Sequence, residues 1–309
     1  MTADLLERAW FIAVDWGTTN FRAALVDRDG EVLDRMQAPR GILHVARGGF
    51  ADAFRELLAP WLDAPARVAV VMSGMVGSAD GLVEVPYLPC PVGLDDVADA
   101  MVEIPDLGAG RRVLIVPGLS GRSVAGSHDV MRGEEIQIIG AIGEGRPAEQ
   151  VFCLPGTHSK WVSLNGRLVT AFSTSMTGDA FAALRDHTIL SRFAAGGRDS
   201  ESAFRRGVAH SGRPGGLLHH LFSGRSEVLL GDLSAEDDAS YLSGLLVGHE
   251  TRAMTAALAV NGPVAVIGSG QLNALYGMAL EALGVAVHPI DGNQSAVRGL
   301  AHLARRCGV

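Results

Sequence analysis

Short apolar runs bounded by glycine, proline and aspartate turns divide the chain into strand-length and helix-length pieces. Residues 11–14 read as a buried strand ending in Asp15-Trp16-Gly17-Thr18-Thr19-Asn20. Residues 21–26 and 31–36 read as two further strands, joined by the hairpin signal Asp29-Gly30. Midway the pattern returns. Residues 151–154 end in Pro155-Gly156-Thr157-His158-Ser159-Lys160, residues 161–164 follow, and Asn165-Gly166 turns the chain into 168–172. Helical spacing marks 50–61, 94–102, 133–142, 179–190, 201–210, 235–259, 271–283 and 293–306. Further buried strands are expected at 67–73, 111–117, 264–267 and 285–289, and glycine-rich connectors at 118–126 and Gly196-Gly197. Strand, Gly-Thr turn, strand, Asp/Asn-Gly turn, strand thus occurs twice, which predicts a duplicated α/β fold with a cleft between the halves.

Composition narrows the class. A chain of 309 residues, 48% apolar and 19% charged, is globular and long enough for two domains. A net charge of −8 argues against a general nucleic-acid binder. Cys90, Cys153 and Cys307 are far apart and form no C-x-x-C, so neither a zinc knuckle nor a disulfide framework is indicated. The first ten residues carry Asp4 and Glu7 and do not read as a signal peptide. The uncharged stretch 253–280 is broken by Asn261-Gly262-Pro263 and Gly268-Ser269-Gly270, so it reads as strand and helix rather than a membrane span. A soluble cytoplasmic protein is expected. Among 26 basic residues only Lys160 is lysine. A site demanding a compact ammonium would explain it, and so would chance.

The two turns point to phosphate. Gly17, Thr18, Thr19 and Asn20 aim backbone N–H groups and hydroxyls at one point. Asp15 beside them makes sense holding Mg²⁺ against a phosphate, or else capping its own turn. Gly156, Thr157, His158, Ser159 and Lys160 repeat the turn without an acid, Leu154 standing where Asp15 stands. Lys160 either binds phosphate or caps the turn, and His158 has the same two readings. Neither a P-loop nor a protein-kinase motif set occurs.

The segments 15–22, 72–78, 84–91, 116–120, 129–135, 153–161, 175–179, 241–245, 264–272 and 296–300 together resemble, in order and over nearly the whole chain, the 2-dehydro-3-deoxygalactonokinase family of the sugar-kinase, actin and Hsp70 superfamily. Two departures stand out: Leu82 where Trp is expected and Asp179 where Glu is expected. Neither is expected to touch the phosphate turns, and Leu82 could alter substrate preference. The resemblance implies two RNase-H-like (actin-like ATPase) α/β domains with mixed sheets flanked by helices. Residues 1–120, closed by 293–309, form the first and 121–292 the second. It implies transfer of the γ-phosphoryl group of ATP to the 6-hydroxyl of 2-dehydro-3-deoxygalactonate, with ATP and Mg²⁺ in the site. The base is expected at the start of the helix before the second turn: Glu134 is preferred and Asp129 is the alternative. Arg22 or Arg132 would meet the substrate carboxylate in fork geometry. Ser73, Gly74 and Met75 would line the sugar site, and Tyr87 is either a lid contact or core packing. Gly268, Ser269, Gly270 and Asn273 would serve the adenosine end.

That same Gly268-Ser269-Gly270 turn, followed by a helix, a strand and Asp291, also reads as half a dinucleotide fingerprint, which leaves the two Gly-Thr turns unexplained. The remaining alternatives are a kinase for the gluconate epimer and a nonenzymatic sugar or nucleotide sensor. The ten histidines read as scattered. The partners expected are a small sugar acid and ATP, with no nucleic acid and no membrane. A homodimer stays open.

Overall fold

The computed structural model describes residues 3–62, 68–105, 107–108, 110–143, 149–194 and 197–309. Arg67 and Gly196, which fall in an expected strand and an expected connector, lie outside the described residues. In chain order the first half holds α1 (Ala3–Arg8), β1 (Ala9–Trp16), β2 (Phe21–Asp27), β3 (Val32–Ala38), α2 (Phe50–Leu62) and β4 (Ala69–Ser73). Then come β5 (Leu88–Pro89), β6 (Val92–Gly93), α3 (Leu94–Asp99), β7 (Val102–Glu103), β8 (Val113–Ile115), β9 (Leu119–Arg122), β10 (His128–Met131) and α4 (Glu134–Ile142). The second half holds β11 (Glu149–Leu154), β12 (Ser159–Asn165), β13 (Leu168–Ser175), α5 (Thr177–His187), α6 (Ser191–Ala194), α7 (Glu201–His210) and α8 (Gly216–Leu230). It ends with α9 (Asp238–Ala257), β14 (Val264–Gly268), α10 (Gly270–Glu281), β15 (Val287–Asp291) and α11 (Gly292–Arg306).

The described strands form two six-stranded sheets, ordered β3-β2-β1-β4-β8-β7 and β15-β14-β11-β12-β13-β6, and a three-stranded sheet β10-β9-β5. In the first, β1 pairs antiparallel with β2 and parallel with β4. In the second, β11 pairs antiparallel with β12 and parallel with β14. The expected duplication is therefore a repeated topology: two RNase-H-like units with mixed sheets, the actin-like ATPase arrangement.

Both sheets are covered on both faces, which is why their strands read as continuous apolar runs. Along β1 the sides still alternate: Phe11 and Ala13 face a central core, while Ile12, Val14 and Trp16 face a second core under α2. The central core also takes Phe152 and Leu154 of β11, Ala265 and Ile267 of β14, and apolar residues of α4 and α11. These two helices lie packed together between the sheets. Their contact depends on glycine. A Cβ on Gly140 would drive into the Ser295 carbonyl, and one on Gly299 into the Ile136 carbonyl. Close packing fixes the axis of α4, and with it the position of its first turn.

Two stretches differ from expectation. Residues 118–126 are no plain connector: β9 runs through them and pairs antiparallel with β10. The hairpin docks on β13, with Gly121 against the Phe172 ring and the Val124 N–H on Ser173 Oγ at 2.9 Å. Small residues permit that close approach, and their composition is what reads as loop. Helix α8 carries Leu218, Phe222, Leu229 and Leu230 exposed, so it shows no amphipathic period by which to find it.

Candidate active site

The first turn is held from behind. Gly17, Thr18 and Thr19 give their carbonyls to the N–H groups of Ile42, Leu43 and Gly41 at 3.0, 3.1 and 2.9 Å. Gly41 is required there, since a Cβ would strike the Thr18 and Thr19 backbone. Among the described residues the Thr18 and Thr19 N–H groups have no acceptor, and both residues are exposed. A turn whose carbonyls point inward and whose amides point outward suits an anion.

Asp15 sits at the end of β1, opposite Arg22 on one side and Ser73 on the other. Its carboxylate lies 3.4 Å from Arg22 Nη1. Burial pushes its pKa above the usual carboxylate value, Arg22 opposes that push, and the Glu134 charge adds to it. Gly74, at φ 89°, brings its backbone against Asp15 and Trp16; a Cβ there would be 3.0 Å from Asp15 Oδ1. A single carboxylate beside free amides fits a divalent cation held mainly through phosphate and water.

Gly133, at φ 109°, packs against Gly74 and starts α4. The next residue, Glu134, faces the same cleft. Its Oε2 accepts the Arg132 N–H at 3.0 Å, and its Oε1 lies 3.2 Å from Lys160 Nζ. Glu135 is fully buried and accepts the Gly133 N–H at 2.7 Å. Burial first, then the neighbouring Glu134 charge, raises its pKa to about 8. The two acids of this helical turn thus sit in opposite environments.

Asp129 is already satisfied. Its Oδ1 accepts from the Val130 N–H at 2.8 Å and Thr174 Oγ1 at 2.7 Å, and its Oδ2 accepts the Thr174 N–H at 2.7 Å. It ties the β9–β10 hairpin to β13. Arg132 is 9% exposed; its Nη2 donates to the Val85 carbonyl at 2.7 Å and its guanidinium lies 4.3 Å from the centre of the Tyr87 ring. Among the described residues its Nε and Nη1 are buried without a partner. Leaving such a donor unpaired costs about 1–3 kcal/mol, which an acceptor that reached it would recover. Ser73 is buried with its hydroxyl on the Val14 carbonyl at 3.2 Å, so it supports β1, while Gly74 and Met75 stay at the edge of the cleft.

In the second turn Gly156, Thr157 and His158 face outward, while Ser159 and Lys160 are buried in β12. The Lys160 ammonium donates to the His158 carbonyl at 3.1 Å. Asp179, expected to leave the turn untouched, closes it instead. Its N–H donates to the Thr157 carbonyl at 3.0 Å and its carboxylate lies 3.8 Å from His158 Nε2. Gly178 makes that approach possible, because a Cβ would meet the Gly156 carbonyl at 2.5 Å. Leu82 lies against the core under α2, its N–H on the Val76 carbonyl at 2.8 Å.

Beyond Gly156 opens a cavity of about 880 Å³ between α5, α7, α9 and α10, lined by Phe181, Leu246, Leu272, Leu275 and Tyr276 among others. Gly268, Ser269, Gly270 and Asn273 build its frame rather than its wall: Ser269 caps α10, and Asn273 Nδ2 donates to the Ile290 carbonyl at 2.9 Å. Under the cavity the buried Glu250 accepts from Trp161 Nε1 at 2.7 Å and the Tyr276 hydroxyl at 2.6 Å, joining β12, α9 and α10. Apart from Gly156, sequence reasoning names no residue of this lining as a site residue, because its helix side chains are brought together only by packing. The histidines are not all scattered: His210, His219, His220 and His249 cluster between α7, α8 and α9, with His220 Nδ1 and His249 Nε2 2.9 Å apart.

Known proteins resemble this chain over nearly its whole length. The family model for 2-keto-3-deoxy-galactonokinase matches residues 15–303. A Rhizobium meliloti (strain 1021) protein named "Probable 2-dehydro-3-deoxygalactonokinase DgoK1" is 37% identical over 304 residues, 96% of this chain and 97% of its own. The 2-dehydro-3-deoxygalactonokinase of Escherichia coli (strain K12) is 32% identical over 297 residues, 95% and 98% of the two chains. The crystal structure of a Sinorhizobium meliloti protein assigned to the same enzyme class superposes with a TM-score of 0.86 at 37% identity, covering 96% of this chain and 98% of that one. Among the described residues no helix is long and apolar enough to cross a membrane.

Proposed function

Because the chain belongs to the 2-keto-3-deoxy-galactonokinase family, and is thus a sugar-acid kinase, we propose that it phosphorylates 2-dehydro-3-deoxy-D-galactonate at the 6-hydroxyl. The γ-phosphoryl group comes from ATP, and the products are the 6-phosphate and ADP. The observation that carries this reading is the meeting of Asp15, the Thr18–Thr19 amides and Glu134 at one cleft between the two sheets.

Phosphoryl transfer asks the protein mainly for position and charge. Thr18 and Thr19 present their amides to the terminal phosphates, and Gly156, Thr157 and His158 face them from the other lobe. The cavity beyond Gly156 has the size and apolar lining for the adenosine end. Asp15 would hold Mg²⁺, which supplies neutralising charge when bound. Arg132, with donors to spare beyond its bond to Val85, is the arginine assigned to the substrate carboxylate, while Arg22 is engaged with Asp15. Glu134 accepts the proton of the 6-hydroxyl as its oxygen bonds to phosphorus and the bond to the ADP oxygen breaks. Asp129 already accepts three hydrogen bonds, two of them from Thr174, and is assigned to holding the hairpin on β13. The lobes comprise residues 1–120 with 293–309, and 121–292, and the reaction is cytoplasmic.

A coupled ADP-release assay with Mg-ATP tests this, using the galactonate acceptor, its gluconate epimer and no acceptor. Turnover with the galactonate form alone is expected. Turnover with the epimer alone would move the substrate, and turnover with neither would remove the kinase reading.

A further inference from the structure

Lys160 matches Arg22 in the duplicated fold. In the first sheet Asp15 pairs with Arg22 across the turn, and in the second Leu154 pairs with Lys160. Each cation follows a phosphate turn, and each meets an acid of the cleft. Arg22 meets Asp15 of its own strand pair. Lys160 has Leu154 opposite it and reaches Glu134, which arrives from α4.

The two cations differ in freedom. The Arg22 side chain is 49% exposed and the Lys160 side chain 6%. Two of the three ammonium donors of Lys160 are taken, by Glu134 Oε1 at 3.2 Å and the His158 carbonyl at 3.1 Å. A buried ammonium so engaged sets a geometry; it does not search for a mobile anion. The contact to His158 lies in the second phosphate turn, and the contact to Glu134 lies on the acid assigned to the acceptor hydroxyl. Lys160 is therefore the direct side-chain link between the two.

We propose that Lys160 is a positioning residue. It fixes the Glu134 carboxylate relative to the second phosphate turn, so that the acceptor hydroxyl and the γ-phosphoryl group are presented in register. It also accounts for the single lysine beside 25 arginines: a slim stem is buried at the start of β12 and ends in a compact charge. The inference rests on Glu134 being the proton acceptor.

The test is steady-state kinetics of wild type, Lys160→Met, Lys160→Arg, Glu134→Gln and the Lys160→Met/Glu134→Gln double variant, with thermal unfolding to confirm that each is folded. Loss of a base's positioning predicts a fall in kcat of about 100-fold for Lys160→Met, with KM for Mg-ATP and for the sugar acid within about threefold. Lys160→Arg recovers part of kcat, because a guanidinium still reaches Glu134. In the Glu134→Gln background the further cost of Lys160→Met is less than about threefold, as for residues acting as one unit. A tenfold or greater rise in KM for Mg-ATP with kcat preserved would make Lys160 a phosphate ligand and overturn the proposal. Unchanged kinetics in Lys160→Met would overturn it as well. If Glu134→Gln itself retains kcat, the reading of Glu134 fails, and that failure is separate from either result at Lys160.

Discussion

Replacing Glu135 by glutamine changes how stability depends on pH. The Glu135 carboxyl is fully buried at the start of α4, and its pKa stands at about 8 against an ordinary 4.5. Between those values the folded protein holds a proton that the unfolded chain has released. The stabilisation is complete below about pH 4.5 and is lost as pH rises through about 8. At about 1.4 kcal/mol for each tenfold in proton affinity, the gap corresponds to roughly 5 kcal/mol. That is a large part of the 5–15 kcal/mol typical of a domain, so the effect is measurable. Urea unfolding of wild type and Glu135→Gln at half-unit intervals from pH 4.5 to 8.5 gives the difference curve. The wild-type advantage should shrink steadily as pH rises. His210 and His249 carry lowered pKa values from burial and act with the opposite sign below pH 6.5, but equally in both proteins, so they cancel. A difference that stays constant across the window would mean that Glu135 is ionised in the folded protein. The opposed environments of Glu134 and Glu135 would then fall.

Arg132→Lys keeps a charge but loses the fork, and should raise KM for the sugar acid by about 10- to 100-fold while leaving KM for ATP within about threefold; an unchanged sugar-acid KM would send the carboxylate elsewhere. Gly299→Ala should push α11 off α4 and destabilise the protein by at least the 1–3 kcal/mol that overpacking typically costs, seen as a drop in Tm of several degrees; a Tm equal to wild type would show that the helix contact has slack.

Much of this was legible in the sequence, for a physical reason. Strands covered on both faces leave continuous apolar runs, and tight turns between them leave Gly-Thr and Asn-Gly, so the two strand-turn-strand copies stand out. Asp15, Thr18 and Thr19 stand out in sequence because they sit at or just after the end of a strand, and Glu134 because it opens a helix. What stayed hidden is contact between elements. Asp129 and Thr174 are 45 residues apart, and only the docking of the β9–β10 hairpin on β13 shows the acid already satisfied. Lys160 read as part of a phosphate turn; the pairing of β12 buries it and turns it toward Glu134. Asp179 reads as remote from the turn in sequence, and Gly178 lets the start of α5 approach the Gly156 carbonyl. The four clustered histidines come from three helices, and the cavity wall from four.

The proposed function puts the proton acceptor at Glu134, with Asp129 holding the hairpin on β13. The most direct measurement is kcat for Glu134→Gln and Asp129→Asn side by side. Glu134→Gln should lose about 10²- to 10⁴-fold in kcat at unchanged fold, and Asp129→Asn should keep kcat within about tenfold while losing stability. The reverse pattern, with Asp129→Asn inactive and Glu134→Gln near normal, would contradict the account.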